Sequence, residues 1–113
     1  MIDHDDYGAR AVAAQRFRAL GDETRLRILE SLVDGDRTVS ELIELLDIGQ
    51  SLVSHHLRIL RDAGLVIDRR EGRWAYYEVV GQALAAVKLT VYELEPIRRP
   101  GVANGTTPET SEI

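Results

Sequence analysis

Between Thr38 and Val79 the chain is punctuated so closely that only two brief helices and a two-stranded hairpin fit. Thr38-Val39-Ser40-Glu41 has the form of a capping box, in which the Thr38 hydroxyl accepts from the Glu41 N–H and the Glu41 carboxylate reaches back. It starts a helix through about Leu46 that is expected to bury Leu42, Leu45 and Leu46. Asp47-Ile48-Gly49 is a tight connection, and Gly49 is expected to supply the positive φ that such a corner often demands. The next helix runs from position 50 or 51 to about 63, with Gly64 as its stop. Val53, Leu57 and Leu60 share one side of it, while Ser51, Ser54, His55, Arg58 and Arg61 mostly lie off that side. His56, beside Leu57, points to the body of the domain in a structural role. Residues 65–70 and 73–79 read as strands joined by Glu71-Gly72, a two-residue hairpin loop.

The flanking segments are helical. Residues 7–20 carry Ala9, Ala13, Phe17 and Leu20 at helical spacing. Asp22 then caps a helix with Glu23 in its first turn, an apolar stripe of Leu26, Leu29, Leu32 and Val33, and Gly35 at its end. Residues 81–95 form a last helix in which Leu84, Val87, Leu89, Val91, Tyr92 and Leu94 spread around most of the circumference, so it needs a second surface besides the core. At 113 residues the chain is one domain, or half of an intertwined dimer. The expected division is a flexible acidic arm at 1–8, a domain at 9–95 and a loose tail at 96–113.

The fold class is therefore mainly α with a β-hairpin wing (α+β), a winged helix-turn-helix. The second helix of such a pair is thin enough to enter the major groove of DNA, while the first braces it. The groove-facing side needs short polar groups for base edges and cations at its margins for phosphates. Gln50, Ser51, Ser54 and His55 are the first kind, and Arg58 and Arg61 the second. Arg69, Arg70 and Arg73 surround the hairpin tip and suit the minor groove or its phosphates. The net charge of −5 speaks against this only if the chain is uniform. Residues 50–73 hold five basic and three acidic side chains, whereas residues 1–49 hold six and eleven and residues 74–113 hold three and five.

On the runs LGDETRLRILESL (20–32), TVSELIELLDIGQSLVSHHLRILRDAGLV (38–66) and RREGRWAYYEV (69–79), the chain resembles the ArsR/SmtB family of bacterial repressors over roughly residues 12–95. The resemblance implies a homodimer paired through the first and last helices, with Phe17, Leu84, Val87, Val91, Tyr92 and Leu94 at the interface. It implies repression from an inverted-repeat operator until an effector binds. It places Gln50, Ser51, Ser54 and His55 at recognition-helix positions and Arg70 and Arg73 in the wing. Metal-sensing members carry cysteines before the recognition helix, or Asp and His pairs on the last helix. This chain has no cysteine, and its last helix reads QALAAVKLTVYELEP. Neither site can be built, so the expectation is a repressor without a metal or cofactor, whose effector is unknown.

Three other readings stand beside it. His4 with Asp3, Asp5 and Asp6 offers nitrogen and oxygen ligands for a divalent cation, giving a metal-responsive repressor. The acidic surface and apolar last helix suit a winged-helix module for protein contact. An enzyme is the poorest of the three, given the lack of a nucleophile–base arrangement or a phosphate-cradling loop. No apolar run approaches the ~20 residues of a membrane span, and the acidic start is the reverse of a signal peptide, so a cytoplasmic protein is expected.

Overall fold

Asp22 and Thr38 set the helical frame. The computed structural model describes residues 4–97, with side chains from residue 8 onward. Its elements are α1 (His4–Leu20), α2 (Glu23–Ser31), β1 (Arg37–Thr38), α3 (Val39–Leu46), α4 (Gln50–Asp62), β2 (Val66–Glu71), β3 (Trp74–Val79) and α5 (Gly81–Leu94). Asp22 accepts from the Arg25 N–H at 3.1 Å. Thr38 and Glu41 complete both halves of the capping box, at 3.2 and 2.9 Å. Helix α1 begins at His4, so residues 4–8 of the expected arm are already helical. The Asp3, His4, Asp5 and Asp6 side chains and the tail from residue 98 lie outside the described residues.

The end of α4 is a Schellman motif. The Leu65 N–H donates to the Leu60 carbonyl and the Gly64 N–H to the Arg61 carbonyl, both at 2.9 Å. Gly64 takes φ +75°, the left-handed region that a side chain resists. Helix α1 seals this end from outside, because Arg16 Nε donates to the Ala63 carbonyl and Gln15 to that of Asp62. The α3–α4 corner departs from expectation. Asp47, not Gly49, takes positive φ, +56°, with its N–H on the Ile43 carbonyl, and Gly49 serves as the extended N-cap of α4. Asp is among the few residues besides Gly that tolerate this conformation.

The sheet has three antiparallel strands in the order β1-β3-β2. Strand β1 was not foreseen: its two residues are too few for any periodicity, and only pairing of Arg37 with Tyr77 and Thr38 with Tyr76 defines it. The hairpin loop also shifts by one residue. Glu71 pairs with Trp74, so the loop is Gly72-Arg73, with Gly72 at φ +62°.

The core is built from Ile28, Leu29, Leu32, Leu42, Leu46, Val53, Leu57, Leu60, Leu65 and Val66, all buried. Two expectations fail here. Leu45 is 52% exposed, because the inward face of α3 is Leu42 and Leu46. In α2 and the turn after it the inward residues are Ile28, Leu29 and Leu32, while Leu26 is half-exposed and Val33 is 76% exposed. The apolar band on α2 is wider than the core it covers. The arrangement is a winged helix-turn-helix, with α3 and α4 as the helix pair and β2–β3 as the wing.

Candidate nucleic-acid interface

Helix α4 has a buried side and an exposed one, the exposed side polar apart from Leu52. Val53, His56, Leu57 and Leu60 are buried, whereas Gln50, Ser51, Ser54, His55, Arg58 and Arg61 are exposed. The i, i+3, i+4 spacing of Val53, His56, Leu57 and Leu60 sends one face to the core and leaves the polar face outward. Gly49 gives α4 no side-chain cap, so its first-turn N–H groups and positive dipole end stay available to an anion.

His56 sits among charged groups without being part of the exposed face. Its Nδ1 lies 3.1 Å from an Arg25 guanidinium nitrogen and 3.9 Å from an Asp22 carboxylate oxygen. Arg25 also donates to the Ala19 and Arg18 carbonyls, which ties the end of α1 to the middle of α4. Burial pushes the His56 pKa down; Asp22 pulls it up, while Arg25 and His55 reinforce the fall. The Asp22 carboxyl is held below its usual range, first by the hydrogen bond from the Arg25 backbone.

The pleat sorts the wing arginines. Paired residues of an antiparallel sheet share a face. Val66, Asp68, Arg70, Ala75, Tyr77 and Val79 therefore lie on one face, and Ile67, Arg69, Glu71, Trp74, Tyr76 and Glu78 on the other. The first face looks to the core and α4, since Val66 is buried, Tyr77 and Val79 pack on the core, and Arg61 of α4 stands 3.8 Å from Asp68. Arg70 shares that face. Arg69 is on the opposite one, bound to Asp36, to Glu71 at 3.2 Å and to Glu78 at 3.3 Å, with its guanidinium 5.3 Å from the Tyr76 ring centroid. These bonds, that to Asp36 foremost, raise its pKa further. Arg58, Arg70 and Arg73 are exposed and make no ion pair among the described residues, with Arg73 at the tip of the loop.

The sequence reading put Arg69, Arg70 and Arg73 together at the hairpin tip as groove contacts and had no signal for Arg69 as a clamp, because Asp36 lies 33 positions away. It also missed Arg25, whose partners lie in two other helices. Phe17, Val91, Tyr92 and Leu94 stand exposed on α1 and α5, with Tyr92 at 69% and Leu94 at 76%. Leu84 and Val87 are half-buried within the subunit, and Leu84 packs against the core. No group of three or more His, Cys, Asp or Glu able to hold a metal occurs among the described residues. None of their helices is long and apolar enough to cross a membrane.

Residues 22–68 match the family described as bacterial regulatory protein, arsR family. An uncharacterized HTH-type transcriptional regulator of Methanocaldococcus jannaschii is 42% identical over 83 residues, 73% of this chain and 93% of that protein. The arsenical resistance operon repressor of Bacillus subtilis is 41% identical over 66 residues, and the matched part is 58% of this chain and 63% of the repressor. Among solved structures, the homodimeric winged helix-turn-helix DNA-binding domain Mb0332 of Mycobacterium bovis, a possible ArsR-family regulator, superposes with a TM-score of 0.69 at 28% identity. That superposition covers 81% of this chain and 87% of the domain.

Proposed function

This chain belongs to the arsR family of bacterial regulatory proteins, and from that premise we propose that it is a homodimeric transcriptional repressor that binds an inverted-repeat operator. The observation that carries this reading is the exposed polar face of α4, flanked by unpaired arginines in a chain of net charge −5. Gln50, Ser51, Ser54 and His55 read base edges in the major groove. Arg58 and Arg61 contact the phosphates beside it, Arg61 on leaving its 3.8 Å contact with Asp68. Arg70 and Arg73 bring the wing to the neighbouring minor groove or its backbone. The acidic flanks weaken nonspecific attraction and leave discrimination to base contacts.

Two copies pair through α1 and α5, covering Phe17, Val87, Val91, Tyr92 and Leu94, with Leu84 behind them. A homodimeric relative of the same fold supports dimerisation, and the exposed apolar residues of α1 and α5 support these helices as the seam. The repressor acts without a metal: thiolate ligands are absent from the sequence, and α5 has neither His nor Asp. It acts in the cytoplasm, where its operator is. Selection from random duplexes should enrich a palindrome, and Ser54→Ala with His55→Ala should weaken binding to it by about 1–3 kcal/mol per lost base contact. Operator binding by the double variant as tight as the parent's would remove α4 as the reading helix. Release of operator by micromolar Zn, Ni, Co or Mn ions would favour the metal-responsive alternative at the N-terminal arm.

A further inference from the structure

The surplus apolar band of α2 borders a groove. Leu26, Leu29 and Val33 form one wall, Val79 of β3 and Leu84 of α5 form the other, and the groove between them, open to solvent, has a volume of about 610 Å³. That lies within the roughly 300–1,000 Å³ typical of small-molecule sites. Its charged side chains are all acidic: Glu30, Asp34, Asp36 and Glu78 contribute, and no basic side chain does. Four carboxylates against the single uncapped helix start at Gly81 disfavour an anion, and a neutral apolar molecule would gain nothing from the carboxylates. A ligand with an apolar body and a positive head satisfies both surfaces. Two of the four acids, Asp36 and Glu78, are also the groups that hold Arg69 of β2. The rim of the groove is therefore the anchorage of the wing.

We propose that this groove is an effector site for an amphipathic organic cation, whose charged head is held by Glu30 and Asp34 and competes with Arg69 for Asp36 and Glu78, and so loosens the wing. Binding is a property of the groove alone, whereas its effect on DNA rests on the repressor reading above. The hydrophobic tail seats against Leu26 and Val33, which accounts for two large apolar side chains left outside the core.

Decyltrimethylammonium bromide and sodium decanoate, matched in tail length, are titrated calorimetrically into the full chain. The cation should bind at least tenfold tighter than decanoate. Glu30→Gln with Asp34→Asn, which leaves the Arg69 anchorage untouched, should weaken it at least fivefold. The cation should lower operator affinity about tenfold in the parent and much less in this variant, which separates the groove from any binding of the cation to DNA itself. Equal affinity for decanoate, or an unchanged variant, would overturn the site. So would a tenfold gain for the cation in Arg98→Ala/Arg99→Ala, since the chain's own tail would then be the occupant. Cation affinity that falls as protein concentration rises would assign the groove to a second copy and equally overturn the proposal. A chain that binds no duplex even without the cation would sink the repressor reading while the calorimetry still decides the site.

Discussion

His56 is held as an acceptor. The Arg25 guanidinium has only donors, so the Nδ1 atom 3.1 Å away must be unprotonated, and the neutral ring carries its proton on Nε2. A second proton would have to face that guanidinium inside a buried site. The folded chain therefore takes it at a lower pH than the unfolded chain, whose value is near 6.5. The contribution to stability is complete above pH 6.5 and is lost as pH falls from there through the folded value. Urea midpoints measured from pH 8 to 5 should drop over that interval in the parent. His56→Gln, whose side-chain oxygen can accept from Arg25 but does not titrate, should flatten the drop. An equally steep profile in the variant would place the titration elsewhere. That His56 is structural was legible from its neighbour Leu57 on a helical face. Its partner was not, because Arg25 stands 31 positions away on another helix.

At the scale of elements, local signals and long-range pairing diverge in legibility. The Thr38–Glu41 capping box, the Asp22 cap and the Gly64 stop are written within a few residues, and each forms as read. Strand β1, the one-residue shift of the hairpin loop and the two-sided α2 all depend on what lies opposite, which no window of sequence contains. The division of the wing arginines is the functional case. Side chains alternate across a strand, so adjacent Arg69 and Arg70 face opposite ways, and three acids on the outer side occupy one of them. Arg70→Ala and Arg73→Ala should each reduce the slope of log affinity against log salt by about 1, as expected for a lost phosphate contact. Arg69→Ala should weaken operator binding by releasing the wing while leaving that slope unchanged. A slope that fell with Arg69→Ala and stayed with Arg70→Ala would invert the assignment.

The subunit offers the exposed polar face of α4 to DNA under the proposed reading, yet α5 has more apolar surface than the described residues of the subunit cover. Leu89, Val91, Tyr92 and Leu94 of α5 and Val12 and Phe17 of α1 remain exposed, on elements that already pack together. Covering them with a second copy would set two α4 helices on one duplex, with half-sites one turn, about 34–36 Å, apart or a multiple of it. The second half-site is then reached by an attached partner rather than from solution, which typically multiplies affinity by about 10²–10⁴. Val91→Glu with Leu94→Glu places two carboxylates in that face, at positions exposed within the subunit, so the fold should persist by circular dichroism. Such a chain should sediment as a monomer. Its affinity for the full inverted repeat should fall about 10²–10⁴-fold, while an isolated half-site is bound as weakly by the variant as by the parent. If the doubly charged variant stayed dimeric and kept full operator affinity, the subunits would have to meet through some surface other than α1 and α5, and the exposed apolar residues of α5 would need a different occupant.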